Sequence, residues 1–578
     1  MTESTNGTLQ GSSAPIGEQM PTCAAYLADA IVAGGCSTVF ALAGATHAPL
    51  LFELEDRGVS IVGGRHESGT VGGADGYARR TGRTGFALIV AEQGLANAMT
   101  GLMTAAQAET PLVVIATRFP DSWVEPSIQY AVDRHELTAP FLKFSRTVPS
   151  PDRLGEYLHA AIKAANEGVP GPALLVMPLD FMTRETGSPV REPLAAPGLP
   201  GADAASIAAI AEMVQGASRP ILVTDNRAAL SDTSGPLTAL AKMGIPVLGN
   251  GLGRGLAPEV APTGYPWPYA QRAAPQADLV IAVGARMNMW FGYGLVPRFG
   301  ADARFVHIDT AAEAIGRNVP VDLPVVADPG KTLAALVETL RAAGFARDPQ
   351  WIADALAERA DCVDKLLAGY GEQLHAATLG EVLDEVLAPE RVLVCDGADS
   401  MNFTHARMRV HTARSYADLL PFGAMGAGFP LALGMAAGEA ENARREAREP
   451  APVALITGDG SFGFFLAEID AAVRAGLPLT VLVSNDGKWG TEYHGQQLVY
   501  GRSTNTDIGQ SDYAAIARAF GCEGQIVQTR EELRDAVEQA AKRRGPTVID
   551  ARVDPEGGRI RKTEPLLAMV LFEDIPGH

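Results

Sequence analysis

Two Asp-Gly turns are the residues in this chain best placed to do chemistry. Asp459 in TGDGSF and Asp486 in SNDGKWG each follow an apolar run, VALIT and LPLTVLVS, and lie 27 positions apart. Between them FFLAEIDAAVRAG sets Phe465, Ile469, Ala472 and Val473 on one helical face. Strand, helix and strand make a crossover unit whose two post-strand turns fall at the same carboxyl edge of a parallel sheet, so the carboxylates can converge. Converging hard oxygen ligands suit magnesium, and the free N–H groups of the helix start beside them suit phosphate. Together they describe a metal-diphosphate site. Taken singly, either turn reads equally as a tight Asp-Gly bend.

Placing such turns takes parallel sheets, and apolar runs alternate with helical stretches along the chain. TVFALAG, VSIVGG, GFALIVAEQG, LVVIATR and ALLVMPL read as strands of a first unit. RPILVTDN, IPVLGNG, ADLVIAVGAR and RFVHIDT belong to a second, and a third runs from RVLVCDGADS to PTVIDARVDP. Such alternation predicts an α/β fold of three doubly wound parallel-sheet domains with right-handed crossovers. The expected boundaries are a tail over 1–19, a first domain over 20–185, a Pro- and Gly-rich linker over 186–202, and a middle domain over 203–345. A helical connection over 346–385, a third domain over 386–553 and a final segment over 554–578 complete the chain. The outer two units share an element order without a fixed-period repeat.

Composition narrows the function class. A formal charge of -20 and a pI near 5.0 give no basic footprint for nucleic acid or an anionic membrane. Cysteines at 23, 36, 362, 395 and 522 form no C-x-x-C pair, which points away from a zinc site or a disulfide framework and toward a reducing cytoplasm. The N-terminus has no basic and apolar leader pattern, and no run is long enough to span a bilayer.

The paired turns resemble the thiamine diphosphate binding motif of the decarboxylase and acetohydroxyacid synthase superfamily, and the likeness covers nearly the whole chain. The resemblance implies thiamine diphosphate and Mg2+ as cofactors. The metal ligands would be Asp459, Asp486 and the backbone carbonyl of Lys488; relatives usually carry Asn where this chain has Asp486. Ala398 and Ser400 of DGADS, with Gly460, Ser461, Trp489 and Gly490, would surround the diphosphate. Glu67 in GGRHESGTVGGADGYARR, at the start of a helix after the second strand, matches the glutamate that protonates the pyrimidine ring. Gly94 and Asn97 of AEQGLANAMTGL would face the pyrimidine, although Glu92 and Gln93 replace a usual Gly-Pro pair. In PFGAMGAGFP, Met425 would wedge between the cofactor rings and Gly423 would offer its carbonyl. Gln129 in SIQYAVD and His47 in GATHAPL fall where relatives place active-site polar groups. Because Glu67 and the diphosphate motif lie in different domains, the resemblance implies sites built between two chains. A homodimer is then the minimal unit, and a tetramer is common in such families.

Two segments bear on the reaction. VGARMNMWFGYGLVPRFGADARFVHIDTAAEAIGRN resembles the coenzyme A-binding middle domain of oxalyl-CoA decarboxylases and 2-hydroxyacyl-CoA lyases, with Arg286 for phosphate and Asp309 for ribose or adenine. DPEGGRIRKTEPLL resembles their C-terminal lid, with Arg559 and Arg561 in a basic patch. KWGTEYHGQQL is nearer to benzaldehyde lyase, and Glu492 stands where a small residue is usual. A glutamate there could deprotonate a substrate hydroxyl and would repel an oxalyl carboxylate. The expected activity is cleavage of a 2-hydroxyacyl-CoA to formyl-CoA and a ketone or aldehyde. Oxalyl-CoA decarboxylation and carboligation without coenzyme A are the alternatives.

Overall fold

The computed structural model describes residues 20–124, 134–189, 198–358, 364, 373–405 and 407–557. Three six-stranded sheets order the chain, and every strand pair in them is parallel. The first sheet holds β1 (Thr38–Ala41), β2 (Ser60–Gly63), β3 (Gly85–Val90), β4 (Leu112–Arg118), β5 (Phe144–Thr147) and β6 (Pro172–Pro178) in the order β2-β1-β3-β4-β6-β5. The third sheet repeats that order as β14-β13-β15-β16-β18-β17. Its strands are β13 (Val392–Asp396), β14 (Tyr416–Asp418), β15 (Val453–Gly458), β16 (Thr480–Asn485), β17 (Glu523–Val527) and β18 (Thr547–Arg552). The middle sheet differs: β7 (Pro220–Thr224), β8 (Val247–Gly249), β9 (Gly264–Pro266), β10 (Leu279–Val283), β11 (Arg304–Asp309) and β12 (Leu323–Val326) run β9-β8-β7-β10-β11-β12. Such an order is that of dinucleotide-binding folds, with its reversal between β7 and β10.

Central strands are buried on both faces, which is why LVVIATR and PALLVMP are apolar almost without interruption. One hydrophobic core runs continuously from the first sheet into the third, joining Leu88 and Ile115 to Leu431, Leu455 and Val481. The middle sheet has cores of its own on its two faces. Fusion of the outer units depends on two helices, Glu67–Thr81 and Gly428–Glu446, whose backbones come into contact. A Cβ on Gly434 would lie 1.9 Å from the Gly73 carbonyl oxygen, and one on Gly76 would lie 2.1 Å from that of Leu431. Among the described residues no helix is long and apolar enough to cross a membrane.

Close helix contact of this kind leaves no room for relaxation on either side. Gly434→Ala is expected to cost about 1–3 kcal/mol or more, as overpacked cores do. A lower urea midpoint with an unchanged slope is the measurement, and an unmoved midpoint would show that the helices can separate without loss.

Candidate active site

The turns after β13, β15 and β16 open together at the carboxyl edge of the third sheet, beside the point where its strand order reverses. They enclose a cavity of about 420 Å³. Asp459 starts a short helix directly after β15, and Asp486 follows β16. Asp459 Oδ1 accepts from the Gly460 N–H and Oδ2 from the Gly487 N–H, both at 2.9 Å, while Asp486 Oδ1 accepts from the Lys488 N–H at 2.9 Å. Supports lie behind them: the Tyr513 hydroxyl donates to the Asp459 carbonyl at 3.1 Å, and Asn485 Nδ2 donates to the buried Asp550 at 2.8 Å. Burial raises the pKa of both aspartates, and for Asp459 the neighbouring Asp486 charge adds to it. Two adjacent carboxylates in a dry site are poorly tolerated without a cation.

The residues expected around the diphosphate converge here. Ala398, Ser400, Met425, Gly460, Ser461, Lys488, Trp489, Gly490 and Glu492 all line the cavity. Gly423 is in the preceding turn with φ +81°, outside the lining residues. The Lys488 ammonium turns away to Asp507 at 2.5 Å and over the Tyr493 ring. Met425 is 43% exposed, with Phe422 exposed three residues before it and Phe464 exposed where it packs on Gly426.

Asp399, between Ala398 and Ser400, is a further lining residue that the sequence reading passed over. Its Oδ1 accepts from the Thr491 hydroxyl at 2.5 Å. A Cβ on Gly490 would lie 2.4 Å from Asp399 Oδ2 and 2.8 Å from Asp486 Oδ2, so only glycine admits both carboxylates. Burial, with the charges of Asp486 and Glu492, pushes the Asp399 carboxyl up to about 7 against the Thr491 bond. Its one signal in the sequence is a second acid in DGADS, on a turn already assigned to phosphate.

A second constellation lies in the first unit. Glu67 opens the helix Glu67–Thr81 and is largely buried, and its Oε2 accepts from Asn97 Nδ2 at 3.0 Å. Asn97 is fixed in turn, its carbonyl accepting from the Ser68 hydroxyl at 2.6 Å. Gly94 leaves space for the Glu67 carboxylate, which a Cβ would approach to 3.2 Å. Glu468, from the helix between the two Asp-Gly turns, accepts from the Arg65 and His66 N–H groups at 3.0 and 2.9 Å and so braces the loop before Glu67. Reading that helix only for its apolar stripe hid this buried acid. Glu67, Asn97 and Gly94 do not line the Asp459 cavity of their own chain.

Three of the expected residues lie away from that cavity and are engaged within the protein. His47 is fully buried, with Nδ1 3.0 Å from the Thr117 hydroxyl and Nε2 3.0 Å from the Leu42 carbonyl. Burial lowers its pKa, and it is not among the residues that line the Asp459 cavity of its own chain. Asp309 is fully buried and accepts from Arg227 Nη1 at 3.1 Å and the Ala311 N–H at 2.8 Å. Arg286 donates to the Glu109 carboxylate and the Gln107 carbonyl, each at 3.1 Å, so both residues are engaged in part within the protein. Gln129, Arg559 and Arg561 lie outside the described residues.

Comparison with known proteins accounts for all three units. Residues 21–141 match "Thiamine pyrophosphate enzyme, N-terminal TPP binding domain", 207–336 the central domain and 397–551 the C-terminal TPP binding domain. The chain belongs to the thiamine pyrophosphate enzyme family. A probable acetolactate synthase of Mycobacterium bovis is 28% identical, with 92% of this chain and 95% of the relative covered. The 2-hydroxyacyl-CoA lyase 1 of Mus musculus is 25% identical over 94% and 96%. Among solved structures, the thiamine diphosphate-dependent 4-hydroxybenzoylformate decarboxylase of Rhodococcus jostii RHA1 superposes with a TM-score of 0.78 at 22% identity, covering 92% of this chain and 99% of that one.

The site suits a thiamine pyrophosphate enzyme. Asp459, Asp486 and the Lys488 carbonyl could hold a divalent cation that relieves the crowded carboxylates, while Ser400, Ser461 and the N–H groups of their turns could take the diphosphate. Protons compete with the cation for both aspartates. Cation-dependent uptake of thiamine diphosphate should therefore weaken as pH falls from about 8 to 6, the range into which the two carboxyls are pushed. Calorimetry across that range tests it, and affinity independent of pH would show the carboxylates ionised throughout.

Proposed function

We propose that the protein is a thiamine diphosphate- and Mg2+-dependent carbon-carbon lyase that cleaves a 2-hydroxyacyl-CoA to formyl-CoA and a ketone or aldehyde. The observation that carries this reading is the charge of the cavity wall. Asp399 and Glu492 line it, and the one basic residue among its described lining residues, Lys488, spends its ammonium on Asp507. A substrate carboxylate, which a 2-oxoacid or an oxalyl thioester would bring, meets repulsion from these acids. A substrate hydroxyl meets bases. Relatives called 2-hydroxyacyl-CoA lyase 1 and 2 support the substrate class.

When bound, the cofactor supplies a stabilised carbanion centre. The residues of the chain do the rest. Glu67, oriented by Asn97, holds a proton toward the pyrimidine ring. Glu492, at the start of the helix Gly490–Tyr500, takes the proton of the substrate hydroxyl as the adjacent carbon-carbon bond breaks. The bonding pair stays with the thioester carbon, and its protonation releases formyl-CoA. Asp399, with its carboxyl near 7, is suited to return that proton. A second reading, an acyloin lyase that uses no coenzyme A, is favoured by the engagement of Arg286 and Asp309 within the protein.

Glu67 is assigned to the cavity of a second copy, so the active unit is at least a homodimer. Phe422, Met425 and Phe464, exposed by 37%, 43% and 57%, supply apolar surface for the contact.

Incubation with thiamine diphosphate, Mg2+ and a branched 2-hydroxyacyl-CoA should release formyl-CoA, while cleavage of aromatic acyloins alone would select the second reading. Glu492→Gln is expected to lower kcat by about 10²–10⁴ with cofactor affinity intact; unchanged turnover removes its role. Glu67→Gln and Asp459→Asn should each be inactive, yet refolding the two together should restore about a quarter of wild-type activity if sites are shared between chains. Activity absent from the mixture would place both residues in one chain's site.

A further inference from the structure

The middle sheet has the strand order of a dinucleotide-binding fold, and at its reversal point two arginines are already engaged by an acid of the first unit. The turn after β7 reads TDNRAAL, with no glycine to let a phosphate approach the backbone. Across from it, a Cβ on Gly284 would lie 2.3 Å from the Ala228 nitrogen, so the loops after β7 and β10 touch. Arg227 rises from this turn, nearly buried, and Arg286 stands on the opposite loop. Their anion is Glu109 of the first unit. Its two oxygens take Arg227 Nε and Nη2 at 2.7 and 2.8 Å, and Arg286 Nη1 approaches at 3.1 Å. A bidentate guanidinium pair of this kind is the geometry with which arginine grips phosphate.

Glu109 sits two residues past the helix Gln93–Gln107, with φ +60°. Glycine is the usual occupant of that left-handed position after a helix, and a glutamate there is a strained substitute. The carboxylate is what glycine would lack. At the other end of the same helix, Gly94 adjoins Glu67 and Asn97 donates to it. A rigid helix of 15 residues thus connects the arginine grip to the carboxylate assigned to the pyrimidine.

We propose that Glu109 is a positioning residue: clamped by Arg227 and Arg286, it fixes the far end of the helix Gln93–Gln107 and through Asn97 sets Glu67 against the cofactor. The middle unit then serves catalysis as an anchor. The inference rests on reading Glu67 as the residue that acts on thiamine diphosphate.

Glu109→Gly separates this role from helix capping, because glycine suits the left-handed position and only the clamp is lost. The full-length variant should keep wild-type helix content, bind thiamine diphosphate with Mg2+ at least fivefold more weakly by calorimetry, and exchange the amides of residues 94–101 faster. Glu109→Asp, which keeps the charge, should recover part of the affinity. Affinity within twofold of wild type in a folded Glu109→Gly protein overturns the proposal. Should that variant fail to fold, Arg227→Lys decides: it keeps the charge but not the bidentate grip, and is expected to weaken uptake about threefold, whereas unchanged affinity overturns the role of Glu109. Wild-type protein that takes up no thiamine diphosphate would sink the cofactor reading itself, a result distinguishable from normal wild-type binding with unaffected variants.

Discussion

Everything in the candidate site follows from two carboxylates, Asp459 and Asp486, forced together where water is scarce. Left alone, such a pair holds protons; with a cation it becomes an anchor for a diphosphate. The sheet supplies the proximity, since adjacent parallel strands deliver their turns to one edge whatever their separation in sequence. Glycine supplies the clearance, since Gly490 alone lets Asp399 and Asp486 share one wall. The remaining machinery, Tyr513, Asn485 and Asp550, holds the turns against the repulsion they contain.

How much of this was legible depended on burial. Every strand that the apolar runs announced is present, and the five they did not announce, β5, β9, β12, β14 and β17, are all at sheet edges. Edge strands are buried on fewer sides, so FSRT and EGQIV carry no run to read. The cofactor turns were legible because Asp-Gly after a buried strand is rare and was paired. Glu468 and Asp399 were not, because an acid earns notice in a sequence as a solvated charge and only coordinates reveal it folded inward. His47 is the opposite case: its place in the motif resembles an active-site position, whereas the fold closes Leu42 and Thr117 around it.

The middle unit shows how far fold and ligand can part. Its strand order is that of nucleotide-binding sheets, and sequence likeness pointed Arg286 and Asp309 at coenzyme A. In the molecule Arg227 at that edge lies between Glu109 and Asp309. Architecture of this kind carries no function by itself.

The core shared by the outer units has a consequence for biosynthesis. Leu88 and Ile115 belong to the same apolar body as Leu431 and Val481, although the whole middle sheet is translated between them. At ordinary elongation rates of about 5–20 residues per second, the amino-terminal portion waits on the order of 10–60 s for the surface it must cover. During that interval the glycine-lined flank of the helix Glu67–Thr81 is a sticky, half-finished face on the ribosome. The nascent polypeptide is therefore a natural client for holdase chaperones, and premature termination after the central portion would yield an aggregating fragment rather than a smaller soluble protein.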